Sequence, residues 1–281
     1  MGKIVGKVKS AIRQLYMLHK EEKKIPVPVM TDSGKMLEGK IALITGGSGG
    51  IGYAIAKQFI ESGCKVIITG TNEQKLEKCQ EQLGNDCRSL VLNMLEPNTF
   101  CDKIKEAAAM YQENRIDILV NSAGQIVNSD FLNMSEEEYD RVMDVNLRGT
   151  FFMCQAMGKY MIDHKLKGHI LNVSSASALR PAWTPYEISK WGVRGFTKGL
   201  ADTMLPYGII VNAIAPGPVA TPMLGVQEGD SIYNGVNPSG RYAMPSEIAA
   251  LAVFMVSDFG NLIVGDTFYM TGGSGTISLH K

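Results

Sequence analysis

The chain has 281 residues and 28 basic against 28 acidic side chains, so its net charge offers no global attraction to nucleic acid. Hydrophobic residues make up 45% and charged ones 20%, the balance of a globular protein with a sizeable core. Five scattered cysteines (Cys64, Cys79, Cys87, Cys101, Cys154) and four histidines without ligand spacing exclude a disulfide framework and a metal site.

Residues 1–37 read as a basic extension. Met1–Lys24 carries Lys3, Lys7, Lys9, Arg13, Lys20, Lys23 and Lys24 against only Glu21 and Glu22. Ile4, Val8, Ile12 and Leu15 recur at helical spacing, and Ile25-Pro-Val-Pro-Val follows as an extended linker. Such an amphipathic helix suits packing on the protein itself, an oligomer contact, a peripheral membrane surface or a foreign partner. No apolar run reaches the roughly 18 residues of a membrane span, and no signal peptide appears, so the expected location is cytoplasmic.

Residues 38–281 read as one catalytic domain. Short, branched-aliphatic runs at Ile41–Thr45, Val66–Thr69, Ser89–Leu92, Ile118–Val120, Ile170–Val173, Ile209–Ala215 and Thr267–Met270 suit strands buried on both faces. Helix-length stretches such as Ile51–Glu61, Thr99–Tyr111, Glu136–Val145 and Ile188–Met204 lie between them. The alternation predicts an α/β doubly wound Rossmann fold: a seven-stranded parallel sheet, helices on both faces, and ligands outside the carboxyl ends of the strands.

Ile41-Ala-Leu-Ile-Thr-Gly-Gly-Ser-Gly-Gly-Ile-Gly52 reads as strand, glycine turn and helix start. Glycine lets the backbone approach a pyrophosphate, and the helix N-terminus then holds it. The second strand ends Thr69-Gly70-Thr71-Asn72, without the carboxylate that would bond a ribose 2′-hydroxyl; Glu73 lies inside the next helix. That favours NADP over NAD, with Thr71 and Asn72 as donors to the 2′-phosphate.

Tyr186-Glu-Ile-Ser-Lys190 places a phenol and an ammonium on one helix face. A neighbouring positive charge is expected to lower the phenol pKa towards the working range. With Thr45-Gly-x-x-x-Gly-Ile-Gly52, Asn121-Ser-Ala-Gly124, Val145-Asn146, Asn172-Val-Ser-Ser175, Ala215-Pro-Gly-Pro-Val-Ala-Thr-Pro-Met223 and Gly272-Gly273, the chain resembles the short-chain dehydrogenase/reductase family over residues 38–275. It is most similar to single-domain 3-oxoacyl reductase-like members.

The resemblance implies a catalytic set of Asn146, Ser175, Tyr186 and Lys190. Tyr186 would exchange a proton with the substrate oxygen, and Ser175 would hydrogen-bond that oxygen. Lys190 would bond the nicotinamide ribose, and Asn146 would hold a relay water behind it. Ser174 is the structural neighbour of Ser175. The cofactor would lie along Gly46, Ser48, Gly49, Gly50, Ile51 and Gly52, then Thr71 and Asn72, with Asn93 and Met94 at the adenine. Asn121, Ala123, Gly124, Tyr186, Lys190, Pro216, Gly217, Val219 and Thr221 would complete its contacts.

The segment between Ser175 and Tyr186 is slightly short for the family, which would bring Arg180 and Trp183 close to the substrate. Met223–Met244 reads as a mobile flap with an apolar lining of Met223, Leu224, Val226, Ile232 and Tyr233. The function expected is hydride transfer between NADP(H), or NAD(H), and a 3-oxoacyl or small-ketone substrate. A dimer or tetramer is expected. The alternatives are a sugar-nucleotide epimerase or dehydratase and a non-catalytic nucleotide-binding scaffold.

Overall fold

The computed structural model describes residues 33–227 and 229–279. The basic helix expected within residues 1–24, and the linker after it, lie outside the described residues. Seven strands form one parallel sheet in the order β3-β2-β1-β4-β5-β6-β7. They are β1 Ile41–Thr45, β2 Lys65–Gly70, β3 Cys87–Val91, β4 Ile118–Asn121, β5 Gly168–Val173, β6 Ile209–Pro216 and β7 Thr267–Met270. The strand expected at Ser89–Leu92 begins earlier, because Cys87 is fully buried and pairs with Val66.

Seven α-helices cover the sheet among the described residues: α1 Gly50–Glu61, α2 Glu73–Leu83, α3 Phe100–Ala108, α4 Glu136–Met143, α5 Thr150–Asp163, α6 Pro185–Met204 and α7 Pro245–Val256. Strand alternation divides the core into two layers. Ile41 and Leu43 of β1 face a layer holding Phe100, Ile104, Met153 and Met157 from α3 and α5. Ala42 and Ile44 face the other, with Ile55 and Phe59 of α1 and Ile248 and Ala252 of α7.

Leu37 is fully buried, and its N–H donates to the Ser62 carbonyl at 2.9 Å. Leu37 thus belongs to the core layer that holds Ile55 and Phe59 of α1.

The strand order reverses between β1 and β4, whose ends Thr45 and Asn121 are paired. A doubly wound sheet opens its crevice at such a point, outside the carboxyl ends of the strands. Among the described residues, no helix is long and apolar enough to cross a membrane.

Candidate active site

The crevice starts at the turn between β1 and α1. Gly46 has φ +65, and a Cβ there would meet the Ala123 backbone at 2.8 Å. A Cβ on Gly52 would collide with the Gly46 carbonyl, so the turn folds back on itself at glycine distance. Gly49 caps α1 without a side-chain bond, which leaves the helix's opening N–H groups free of side-chain competition. A Cβ on Gly49 would meet nothing nearer than the Gly46 carbonyl at 3.8 Å, so this side of the turn is open. A bared helix start with an open glycine face fits the pyrophosphate of a dinucleotide.

Neighbouring segments close around the turn. Thr45 Oγ1 accepts from the N–H groups of Ser122 and Ala123, both at 3.2 Å, fixing the loop after β4 against β1. A Cβ on Gly50 would stand 2.9 Å from the Thr221 methyl, so the loop after β6 reaches the same turn. In that loop the Gly217 N–H donates to the Met270 carbonyl at 2.9 Å, and Thr221 Oγ1 donates to the Val219 carbonyl at 3.3 Å. Pro216, Val219 and Thr221 are buried. Ser48 Oγ lies 3.3 Å from a Cβ built on Gly70, next to Thr71.

Thr71 and Asn72 are exposed, and Asn72 caps α2 by accepting from the Lys75 N–H at 2.9 Å. The adenine-end candidates are engaged locally. Asn93 Oδ1 accepts from the Leu95 N–H at 3.1 Å, and its Nδ2 donates to Glu96 at 2.8 Å. The Met94 side chain belongs to the core, while its carbonyl would stand 2.8 Å from a Cβ on Gly149.

The Asn121 side chain points into the sheet, where Nδ2 donates to Asn172 Oδ1 at 2.9 Å and to Cys154 Sγ at 3.1 Å. Asn172 in turn donates to Thr197 at 3.0 Å. This buried network joins β4, β5, α5 and α6 beneath the crevice, so Asn121 acts there as a strut.

Tyr186 and Lys190 sit on α6, which starts with Pro185 at a position that needs no N–H donor. Glu187 accepts from the Thr184 N–H at 2.9 Å and so secures that start. Lys190 is buried, donates to the Val173 carbonyl at 2.9 Å, and places Nζ 5.6 Å from the Tyr186 ring centre. Burial lowers its pKa to about 8.

Burial also raises the Tyr186 pKa; a hydrogen bond with the Ser175 side chain opposes that rise and the Glu187 charge adds to it. The expected lowering by Lys190 is therefore not realised. Desolvation of the phenol is the largest cause, and the Lys190 ammonium is bonded to the Val173 carbonyl. Ser175 Oγ accepts from the Ser177 N–H at 3.1 Å, whereas Ser174 donates to the Lys190 carbonyl at 3.0 Å. Of the two serines, Ser175 is the one that meets the phenol.

Asn146 lies in a π-helical turn, Asp144–Gly149, between α4 and α5, where the extra residue per turn turns it inward. Its Oδ1 accepts from the Gln125 N–H at 2.7 Å, and its Nδ2 donates to the Gln125 carbonyl at 2.9 Å and to Ser189 Oγ at 3.2 Å. A Cβ on Gly124 would stand 3.5 Å from Asn146 Oδ1 and 3.7 Å from Lys190 Nζ. The structure thus gathers Asn146, Ser175, Tyr186 and Lys190 beside the loop after β4. Gln125 and Ser189 belong to the cluster but escape a reading by motif, since Ser189 is signalled only by its place inside Tyr186-Glu-Ile-Ser-Lys190.

Within the expected flap Tyr233 pairs with Arg241, Ala243 near its far end pairs with Val219 of the preceding loop, and the Arg241–Glu247 ion pair at 2.7 Å ties that end to α7. Met223, Leu224 and Tyr233 leave much of their surface exposed, so they are not core residues.

The model of the short chain dehydrogenase family matches residues 40–230. The chain belongs to that family. The chain is 34% identical over 245 residues to the 3-oxoacyl-(acyl-carrier-protein) reductase of Aquifex aeolicus, covering 84% of this chain and 98% of the relative. It is 36% identical over 247 residues to the acetoacetyl-CoA reductase of an Acinetobacter species, covering 85% and 98%. A short-chain type dehydrogenase/reductase from Mycobacterium marinum superposes with a TM-score of 0.77 at 28% identity, over 84% of this chain and 96% of that one. The chain is accordingly a nicotinamide-dependent oxidoreductase acting on carbonyl and alcohol groups, and the epimerase and scaffold alternatives are not favoured.

Proposed function

We propose that the enzyme reduces 3-oxoacyl thioesters and related small ketones with NADPH, using Tyr186 as the proton donor. The observation that carries this reading is the convergence of Ser175, Tyr186 and Lys190 at the strand ends beside an uncapped glycine turn. When bound, the nicotinamide supplies the hydride that reaches the carbonyl carbon. Tyr186 Oη–H gives its proton to the substrate oxygen, and the Ser175 hydroxyl bonds that oxygen and holds it in line. A phenol with a raised pKa holds its proton at neutral pH, which suits the reducing direction. Lys190 keeps most of its charge there, and its ammonium steadies the phenolate once the proton has left.

Two features support the finer assignments. The end of β2 presents Thr71 and the free amide N–H₂ of Asn72 with no carboxylate before Glu73, favouring a 2′-phosphate and hence NADP. Two relatives are named for 3-oxoacyl and acetoacetyl thioesters, and the exposed Met223, Leu224 and Tyr233 offer apolar cover for a short acyl chain. Exposed Phe151, Phe152 and Ile188 on α5 and α6 suit a second copy of the chain, consistent with an oligomer.

The test is cofactor oxidation with acetoacetyl-CoA and a ketone panel, NADPH and NADH side by side. NADPH is expected to win by about tenfold or more, equal to about 1.4 kcal/mol. No oxidation with any carbonyl substrate, or a preference for NADH, overturns the corresponding part of the reading.

A further inference from the structure

The segment that carries Ser175 is held from outside by two side chains that the reaction itself does not use. Ser175 caps a single 3₁₀ turn, Ala176–Leu179, and Arg180 then leaves in extended conformation. A turn this short leaves its carbonyls without partners of its own. The Ala178 carbonyl accepts from Arg194 Nη1 at 3.0 Å, and the Arg180 carbonyl accepts from Trp191 Nε1 at 2.9 Å. Both donors lie on α6, one residue and one turn beyond Lys190.

The two donors are also fixed to each other. The Arg194 guanidinium carbon stands 5.2 Å from the Trp191 ring centre and 5.8 Å from that of Tyr269 in β7. Among the described residues Arg194 has no carboxylate partner within ion-pair distance. Its charge is directed instead at two aromatic faces and one loop carbonyl. On the other side of the loop, a Cβ on Gly275 would stand 3.3 Å from Arg180 Cγ and 3.6 Å from the Ala176 carbonyl. The segment is therefore sandwiched between α6 and the chain's C-terminal stretch.

We propose that Trp191 and Arg194 are positioning residues that clamp residues 176–180, and through them fix the Ser175 hydroxyl against the Tyr186 phenol. This rests on the reading of Ser175 as the group that holds the substrate oxygen. The segment is short, so little slack separates the clamped carbonyls from Ser175. Releasing either carbonyl frees the serine rather than a distant loop tip. The clamp acts on substrate orientation and leaves the glycine turn untouched.

The experiment uses the full chain with Trp191→Phe, which keeps the ring and removes the donor, and with Arg194→Ala and Arg194→Lys. Steady-state reduction of acetoacetyl-CoA, NADPH binding by fluorescence, and hydrogen exchange of the peptide covering residues 176–184 are measured on each. The clamp predicts that Trp191→Phe and Arg194→Ala lower kcat/KM for the carbonyl substrate by about tenfold. NADPH affinity is expected to stay within about twofold, exchange of that peptide to quicken, and Arg194→Lys to regain part of the loss. Folded variants with wild-type kcat/KM and unchanged exchange overturn the clamp. An equal loss of cofactor affinity also overturns it, because that marks general loosening. If the wild-type chain reduces no carbonyl compound, the functional reading fails separately, and hydrogen exchange alone still decides whether the two side chains hold the loop.

Discussion

Ser189 Oγ donates to the Tyr186 carbonyl at 2.7 Å while accepting from Asn146 Nδ2 at 3.2 Å. The hydroxyl is completely buried and joins the π-helical turn to the first turn of α6. Through it, the amide that holds the Gln125 backbone is coupled to the residue that carries the phenol.

Replacing Ser189 by Ala removes both bonds and leaves Asn146 with only its Gln125 contacts. At about 1 kcal/mol for each of the two buried bonds, kcat should fall by up to about thirtyfold with little change in cofactor KM. Ser189→Thr keeps the hydroxyl and should recover part of the rate. Steady-state kinetics on the three proteins decide the matter; an alanine variant with full kcat removes the coupling.

The glycine turn makes a prediction about binding rather than chemistry. Gly46→Ala places a methyl 2.8 Å from the Ala123 backbone at φ +65, where an L-residue is strained. The turn should shift away from the open face of Gly49, raising the dissociation constant for NADPH by about tenfold or more. Fluorescence titration measures it, and an unchanged constant means that the turn does not carry the pyrophosphate.

Cofactor preference should be movable at the end of β2. Thr71→Asp puts a carboxylate where the sequence has none before Glu73, to repel a 2′-phosphate and accept from a ribose hydroxyl. The ratio of kcat/KM for NADPH to that for NADH should drop by about tenfold, about 1.4 kcal/mol. A ratio that does not move places the 2′-position elsewhere.

His169 gives the fold an acid limit. Burial lowers its pKa from 6.5 to about 4, and its Nδ1 is buried without a protein partner. The unfolded chain then binds a proton that the folded chain refuses between those values. Stability must therefore fall as pH drops from 6.5 to 4, by roughly 3 kcal/mol from this group. His169→Gln should flatten that part of the curve of Tm against pH, and a curve identical to wild type contradicts the assignment.

The sheet was legible because its inner strands are continuously apolar; the fully buried Ile41–Thr45 and the half-buried edge strand Thr267–Met270 both have the bounds expected from sequence. The glycine turn, Tyr186 and Lys190 were legible because local spacing alone fixes their relation. The π-turn was not, since Glu136–Val145 has ordinary helical periodicity and the bulge appears only where Asn146 meets Gln125 and Ser189. Nor was the Tyr186 pKa, because desolvation depends on packing across the crevice while the sequence displays only the neighbouring charge. The commitments of Asn93 to Leu95 and Glu96, and of Asn121 to Asn172 and Cys154, are likewise matters of fold.

The central claim is that one phenol delivers the proton to the substrate oxygen, and single-turnover NADPH oxidation by wild type and Tyr186→Phe tests it most directly. With acetoacetyl-CoA saturating and NADPH affinity matched, the variant should be slower by about 10²–10⁴-fold. Equal rates in the two proteins would contradict it.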